Sequence, residues 1–148
     1  MFDEDYMRLA IKEAMLAQQA DEVPVGAIIV HQGIVIAQTH NMRESCKDPL
    51  AHAELLAIRE ASAMLGGWRL SGCTLYVTLE PCPMCAGGVI NARIPRVVFG
   101  AYDKKAGAFG TLYHLGEGRL NHKPEITGGV LEQECSSLLT NYFRNKRK

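Results

Sequence analysis

Apolar residues recur at helical spacing near the start of the chain, where Met7, Ala10, Ile11, Ala14 and Met15 predict an amphipathic helix over residues 3 to about 20. The pattern breaks between Asp21 and Gly26. Ala27 to Val30 and Ile34 to Gln38 are β-rich runs, and His31-Gln32-Gly33 between them predicts an antiparallel hairpin. Asp48-Pro49 reads as a helix start, with Asp as N-cap and Pro in the first helical position. The helix it opens carries His52, Glu54, Leu55, Ala57 and Ile58 and ends near Gly66-Gly67. Thr74 to Leu79 predicts a strand, Pro81-Cys82-Pro83 opens a helix to about Ala92, and Arg96 to Gly100 predicts another strand. That strand–helix–strand unit implies a right-handed parallel crossover. Residues 101–123 hold four Gly without a clear period and read as loop with room for one short helix. Glu125 to Val130 predicts a last strand, and Leu131, Cys135, Leu138, Leu139, Tyr142 and Phe143 mark a C-terminal amphipathic helix. Helices alternating with about five strands predict an α/β fold, one sheet sandwiched between helix layers.

The chain has 148 residues, so a single domain over 1–148 is expected. Hydrophobic residues make up 47% and charged residues 22%, which removes any compositional case for disorder. Apolar stretches such as Val25 to Val30 fall far short of a membrane span. Met1-Phe2-Asp3-Glu4-Asp5 is acidic where an export signal is basic, so no membrane association and a cytoplasmic location are expected. Net charge is zero, yet residues 1–22 hold six acids against Arg8 and Lys12, while residues 141–148 hold Arg144, Lys146, Arg147 and Lys148 without an acid. On charge alone the basic tail is a solvated helix end whose cations complement the helix dipole, with a nucleic-acid contact as the weaker reading.

Chemistry concentrates in His52-Ala53-Glu54 followed, 26 residues later, by Pro81-Cys82-Pro83-Met84-Cys85. Cys82 and Cys85 are three apart and share a face of a helical first turn, where unpaired N–H groups favour thiolates. Alone, a Cys-x-x-Cys pair in a reducing compartment fits metal binding or redox chemistry equally. His52 supplies a third, neutral ligand, and thiolates with imidazole suit zinc. Three protein ligands leave a fourth position open, the mark of a catalytic site where zinc acidifies water to a pKa near 7. Glu54 is the proton carrier, beside a ligand without being one. Because positions i and i+2 of a helix do not face the same way, the metal must lie near the helix end, with the Glu side chain reaching across the first turn. The full pattern, with Pro before the first Cys, is the zinc-deaminase signature. His31, His40, His114 and His122 lie at no telling spacing and read as surface or core residues. Cys46, Cys73 and Cys135 read as small apolar fillers.

Over nearly its whole length the sequence resembles the bacterial tRNA-specific adenosine deaminases of the cytidine-deaminase-like superfamily. The resemblance is carried by Val23-Pro24-Val25-Gly26-Ala27, His40-Asn41, the run from Asp48 to Glu54, Thr78 to Gly87, Arg96 to Ala101, Asn121-His122 and Tyr142-Phe143-Arg144. It implies a three-layer α/β/α sandwich with a five-stranded mixed sheet, one Zn2+ per chain, a homodimer, and conversion of the wobble adenosine of a tRNA anticodon arm to inosine. Glu54 would take a proton from water and pass protons to the ring nitrogen and the departing amine. A splayed anticodon loop suits this chemistry, since a stacked base cannot reach a buried metal. The resemblance also implies that Asn41 bonds the flipped base, that the Glu80 backbone helps place water or leaving ammonia, and that Asp103, Phe143, Arg144 and Arg147 meet RNA. Without it, Asn41 is a turn residue and Phe143 a core residue. Gly88 and Tyr102 depart from the family's usual residues, and the loop around Leu115 to Arg119 is slightly short. Three rivals share the motif or part of it: a guanine or cytosine type deaminase of free bases or nucleotides, a non-catalytic zinc-stabilised RNA-binding module, and a thiol redox protein.

Overall fold

In the computed structural model, which describes residues 1–146, the predicted hairpin joins β1 (Gly26–His31) to β2 (Ile34–His40). Its two-residue turn puts Gln32 and Gly33 at φ of 51° and 77°, the left-handed pair whose twist matches the flanking strands. β3 (Cys73–Leu79) lies antiparallel to β1, and β4 (Arg96–Ala101) and β5 (Glu125–Thr127) continue in parallel, giving the order β2-β1-β3-β4-β5. The sheet is therefore five-stranded and mixed.

The three central strands, β1, β3 and β4, are buried on both faces, and their side chains alternate between two cores. Ala27, Ile29, Leu75, Val77, Val97 and Phe99 pack with Ala53, Ala57 and Ala61 of α2 (Ala53–Leu65) and with Ala86 and Val89 of α3 (Pro83–Ala92). Ile28, Val30, Tyr76 and Val98 face the other way, against Tyr6, Met7 and Ala10 of α1 (Asp3–Gln19) and Cys135 of α4 (Glu132–Lys146). Two covered faces explain why β1 and β4 read as near-continuous apolar runs rather than as alternation. The layers are α/β/α.

Two contacts lock α1 to the sheet. Arg96 donates to both Asp3 carboxylate oxygens, at 2.8 and 2.7 Å, and the Tyr76 hydroxyl donates to the same carboxylate at 2.8 Å. Arg96 thereby holds the Asp3 carboxyl below its ordinary range. At Gly26 a Cβ would overlap the Ala10 carbonyl, so the close approach of α1 to the start of β1 requires glycine.

Three elements depart from the sequence expectations. Asp48-Pro49 opens no helix: the Asp48 carboxylate accepts the Leu50 N–H at 2.9 Å in a local turn, and α2 starts at Ala53. β5 ends at Thr127 rather than Val130, because Gly128 packs against the Phe99 ring and Gly129 turns left-handed. Phe143 is exposed, and Tyr142 is the aromatic that α4 buries. Among the described residues no helix is long and apolar enough to cross a membrane.

Candidate active site

The N-termini of α2 and α3 come together just beyond the end of the central strand β3, and each is capped by a residue with metal-binding chemistry. His52 is the N-cap of α2 (φ −74°, ψ 149°) and Cys82 the N-cap of α3 (φ −75°, ψ 173°). Both backbones are extended, yet their carbonyls accept the first intrahelical bonds from Leu56 and Ala86. That removes the difficulty of spacing: His52 is outside the helix while Glu54 is inside its first turn, so both side chains line one cavity.

His52 Nδ1 lies 3.7 Å from Cys82 Sγ and 3.5 Å from Cys85 Sγ. A tetrahedral zinc with N at about 2.05 Å and S at about 2.3 Å separates those atoms by about 3.6 Å. The donor set therefore fits zinc in both chemistry and spacing, with three ligands and room for a fourth. The Cys85 thiol's hydrogen bond, with His52 beside it, holds the Cys82 thiol down to about 4. Cys85 is pushed up by the Cys82 thiolate and by burial, and His52 is raised by its bond to Cys82. A bound dication would hold both sulfurs as thiolates.

Beside the triad a cavity of about 690 Å³ opens, with His52, Glu54 and Cys82 on its surface. Glu54 is 4% exposed, and burial pushes its carboxyl up to about 7. Asn41, Glu80 and Asp103 line the same cavity. Asn41 is oriented by the Val23 carbonyl, which accepts from its amide at 3.3 Å, and by the Arg43 N–H, which donates to its oxygen at 3.1 Å. The Glu80 N–H already donates to the Ala101 carbonyl at 2.9 Å, which leaves its carbonyl for any substrate role. Asp103 accepts from the Lys105 and Ala106 N–H groups at 2.9 and 3.2 Å and so caps its own turn.

The C-terminal helix reaches the cavity through residues that the sequence reading had not assigned to the site. Tyr142 and Lys146 line it, and both bind Asp21, the hydroxyl at 3.2 Å from its carbonyl and the ammonium at 2.7 Å from its carboxylate. Phe143 and Arg144 are exposed and lie outside the lining, and Arg147 lies outside the described residues. Glu22 was also missed, since a carboxylate in an acidic stretch carries no sign that it is buried.

The model of the MafB19-like deaminases matches residues 1–147. A tRNA-specific adenosine deaminase of Bacillus subtilis (strain 168) is 55% identical over 147 residues, spanning 99% of this chain and 91% of the relative. One from Haemophilus influenzae is 44% identical over 149 residues, spanning 99% and 86%. A solved structure from work on A-to-I editing by tRNA:A34 deaminases at the wobble position superimposes with a TM-score of 0.89 at 43% identity, covering 91% of this chain and 99% of that one. The guanine deaminase of Nitrosomonas europaea follows the same fold with a TM-score of 0.80 at 27% identity, covering 94% and 83%.

Proposed function

This chain belongs to the MafB19-like deaminase family and, within it, to the tRNA-specific adenosine deaminases; from that premise we propose that it is a zinc-dependent hydrolase converting adenosine to inosine at the wobble position of a tRNA anticodon. The observation that carries the chemistry is the spacing of His52 Nδ1 from the two sulfurs, matched to a tetrahedral zinc, with buried Glu54 in the same cavity. His52, Cys82 and Cys85 would hold one zinc per chain. When bound, the metal acidifies water and so supplies a nucleophile at neutral pH.

The chain's own residues do the rest. The reaction adds water at C6 of adenine and expels ammonia, so one group must accept a proton and return protons to the ring nitrogen and the leaving amine. Glu54 has the required position, beside a ligand and on the cavity wall. With burial raising its pKa towards neutrality and a dication favouring the ionised form, both protonation states are accessible. Asn41, held by hydrogen bonds to Val23 and Arg43, presents a fixed polar edge to a flipped base. Asp103, with Phe143, Arg144 and Arg147 towards the C-terminus, is assigned to RNA contact. An unstacked anticodon loop can deliver its base into a cavity of this volume, whereas a paired base cannot.

The chain acts as one deaminase domain in the cytoplasm, where its tRNA substrate is found, and as a homodimer. Exposed Leu112, Tyr113 and Leu120 supply apolar surface for such a contact. Light scattering coupled to size exclusion checks this, and a 16.3 kDa monomer at all concentrations would refute it.

The deciding experiment incubates zinc-loaded protein with an anticodon stem-loop carrying a wobble adenosine and seeks inosine by mass spectrometry. Inosine at that position alone is the expected result. Its absence with zinc present would redirect the assignment to a free base, with guanine first because of the fold shared with a guanine deaminase.

A further inference from the structure

Two buried carboxylates border the substrate cavity and have no part in the proton chemistry. Glu22 and Glu80 are each only 1% exposed, and among the described residues neither pairs with a cation. A buried carboxylate without a counter-ion is costly unless hydrogen-bond donors surround it. Here every donor comes from a segment that lines the cavity or adjoins it. Glu22 accepts from the Glu44 N–H at 3.0 Å and from the Ser45 N–H and hydroxyl, each at 2.6 Å. Burial pushes its carboxyl up, but the Ser45 hydroxyl and the two N–H groups outweigh burial and hold it below its ordinary value. Glu80 accepts from the Asp103, Phe109 and Thr111 N–H groups, each at 3.1 Å, and from the Thr111 hydroxyl.

The bonds fix cavity walls. Arg43, Glu44 and Ser45 line the cavity on the Glu22 side, and Asp103 and Ala106 line it on the Glu80 side. Gly107 gives independent support, because a Cβ there would overlap the Glu80 carboxylate and the Asp103 carbonyl. The loop has thus been brought against the carboxylate as closely as glycine allows.

We propose that Glu22 and Glu80 are a pair of positioning residues, each fixing one rim segment of the substrate cavity, so that together they set how firmly the nucleoside and its RNA flanks are held. Only the activity arm of this inference rests on the deaminase reading.

The test uses full-length, zinc-loaded Glu22→Gln and Glu80→Gln, because an amide turns an –NH2 donor against the donors that the carboxylate had satisfied. Hydrogen exchange is followed in peptides covering 43–48 and 103–111, with zinc content, KM and kcat measured on a stem-loop. In Glu80→Gln, exchange is expected to quicken about tenfold or more in 103–111 and not in 43–48, and Glu22→Gln gives the reverse. Zinc stays at one per chain, and KM rises about tenfold while kcat changes by less than about threefold. Gly107→Ala reproduces the Glu80→Gln pattern, and the Glu80→Gln/Gly107→Ala double variant shows less than the product of the two effects. Loosening of both segments and the core strands alike in either variant would overturn the proposal. So would a fall in kcat with KM unchanged, or full multiplicativity of the double variant. A wild type that makes no inosine defeats the deaminase reading instead, and the exchange pattern then decides the positioning claim alone.

Discussion

Replacing Glu54 by Gln isolates the proton carrier from everything else at the site. The side chain is 4% exposed, so an isosteric amide leaves no cavity, whereas Glu54→Ala would remove four heavy atoms from a packed position. Glu54 also lies outside the ligand triad, whose N-cap and first-turn positions on two different helices do not depend on it. Zinc content by plasma mass spectrometry should therefore stay at one per chain, and stem-loop affinity should be little changed. What is lost is the group that takes a proton from water and returns it to the ring nitrogen and the amine. General acid–base catalysis is worth roughly 10²–10⁴-fold, which corresponds to about 3–5 kcal/mol of transition-state stabilisation. Single-turnover assays with enzyme in excess measure the chemical step free of product release, and the rate constant should fall by that factor. Glu54→Ala should lose at least as much. A metal-loaded Gln variant turning over near the wild-type rate would refute the assignment of Glu54. A variant that lost its zinc in step with activity would show that Glu54 supports the metal instead.

Further outcomes follow from the triad and from the contacts that hold α1. Cys85→Ser replaces a buried ligand by a harder and less acidic one, so dialysed protein should retain well under one zinc per chain and lose metal-dependent thermal stability; full retention of tightly held zinc would count against the triad. Asp3→Asn breaks the two-pronged bond to Arg96; allowing for its partial exposure, a loss of about 1–2 kcal/mol at pH 7 would lower Tm by about 3–6 °C for 148 residues. Because folding lowers the Asp3 pKa, that stabilisation is present above about pH 3.8 and fades as pH falls further. The gap in urea midpoint between wild type and Asp3→Asn should accordingly close in acid, and a gap that widened would reverse the sign of the argument. Gly26→Ala drives a methyl into the Ala10 carbonyl and should cost more than about 2 kcal/mol, read as a Tm fall of at least about 6 °C.

Much of this protein is written in its periodicities and in one motif. The helical spacing of Met7, Ala10 and Ala14 placed α1, and the apolar runs placed β1, β3 and β4, because burial patterns repeat with the geometry of the element. His52, Glu54, Cys82 and Cys85 were legible because zinc chemistry needs those donors near helix ends at those spacings. Tertiary structure decided the rest. Asp48-Pro49 carries a helix-start signal, yet the chain makes a local turn there and the helix waits for His52 as its N-cap, where the ring must project from the helix end towards two sulfurs on another helix. Glu125 to Val130 has the composition of a longer strand, but Gly128 lies against the Phe99 ring and ends the pairing. Glu22 and Glu80 look like surface acids in sequence. They are buried because their donors, 22 to 31 residues further along the chain, come back to them only when the sheet is assembled. Local sequence specifies which face of an element is apolar and which side chains can bind a metal. Which carboxylate is taken from water, and which loop closes on it, depends on contacts between segments distant in the chain, and no local pattern encodes those.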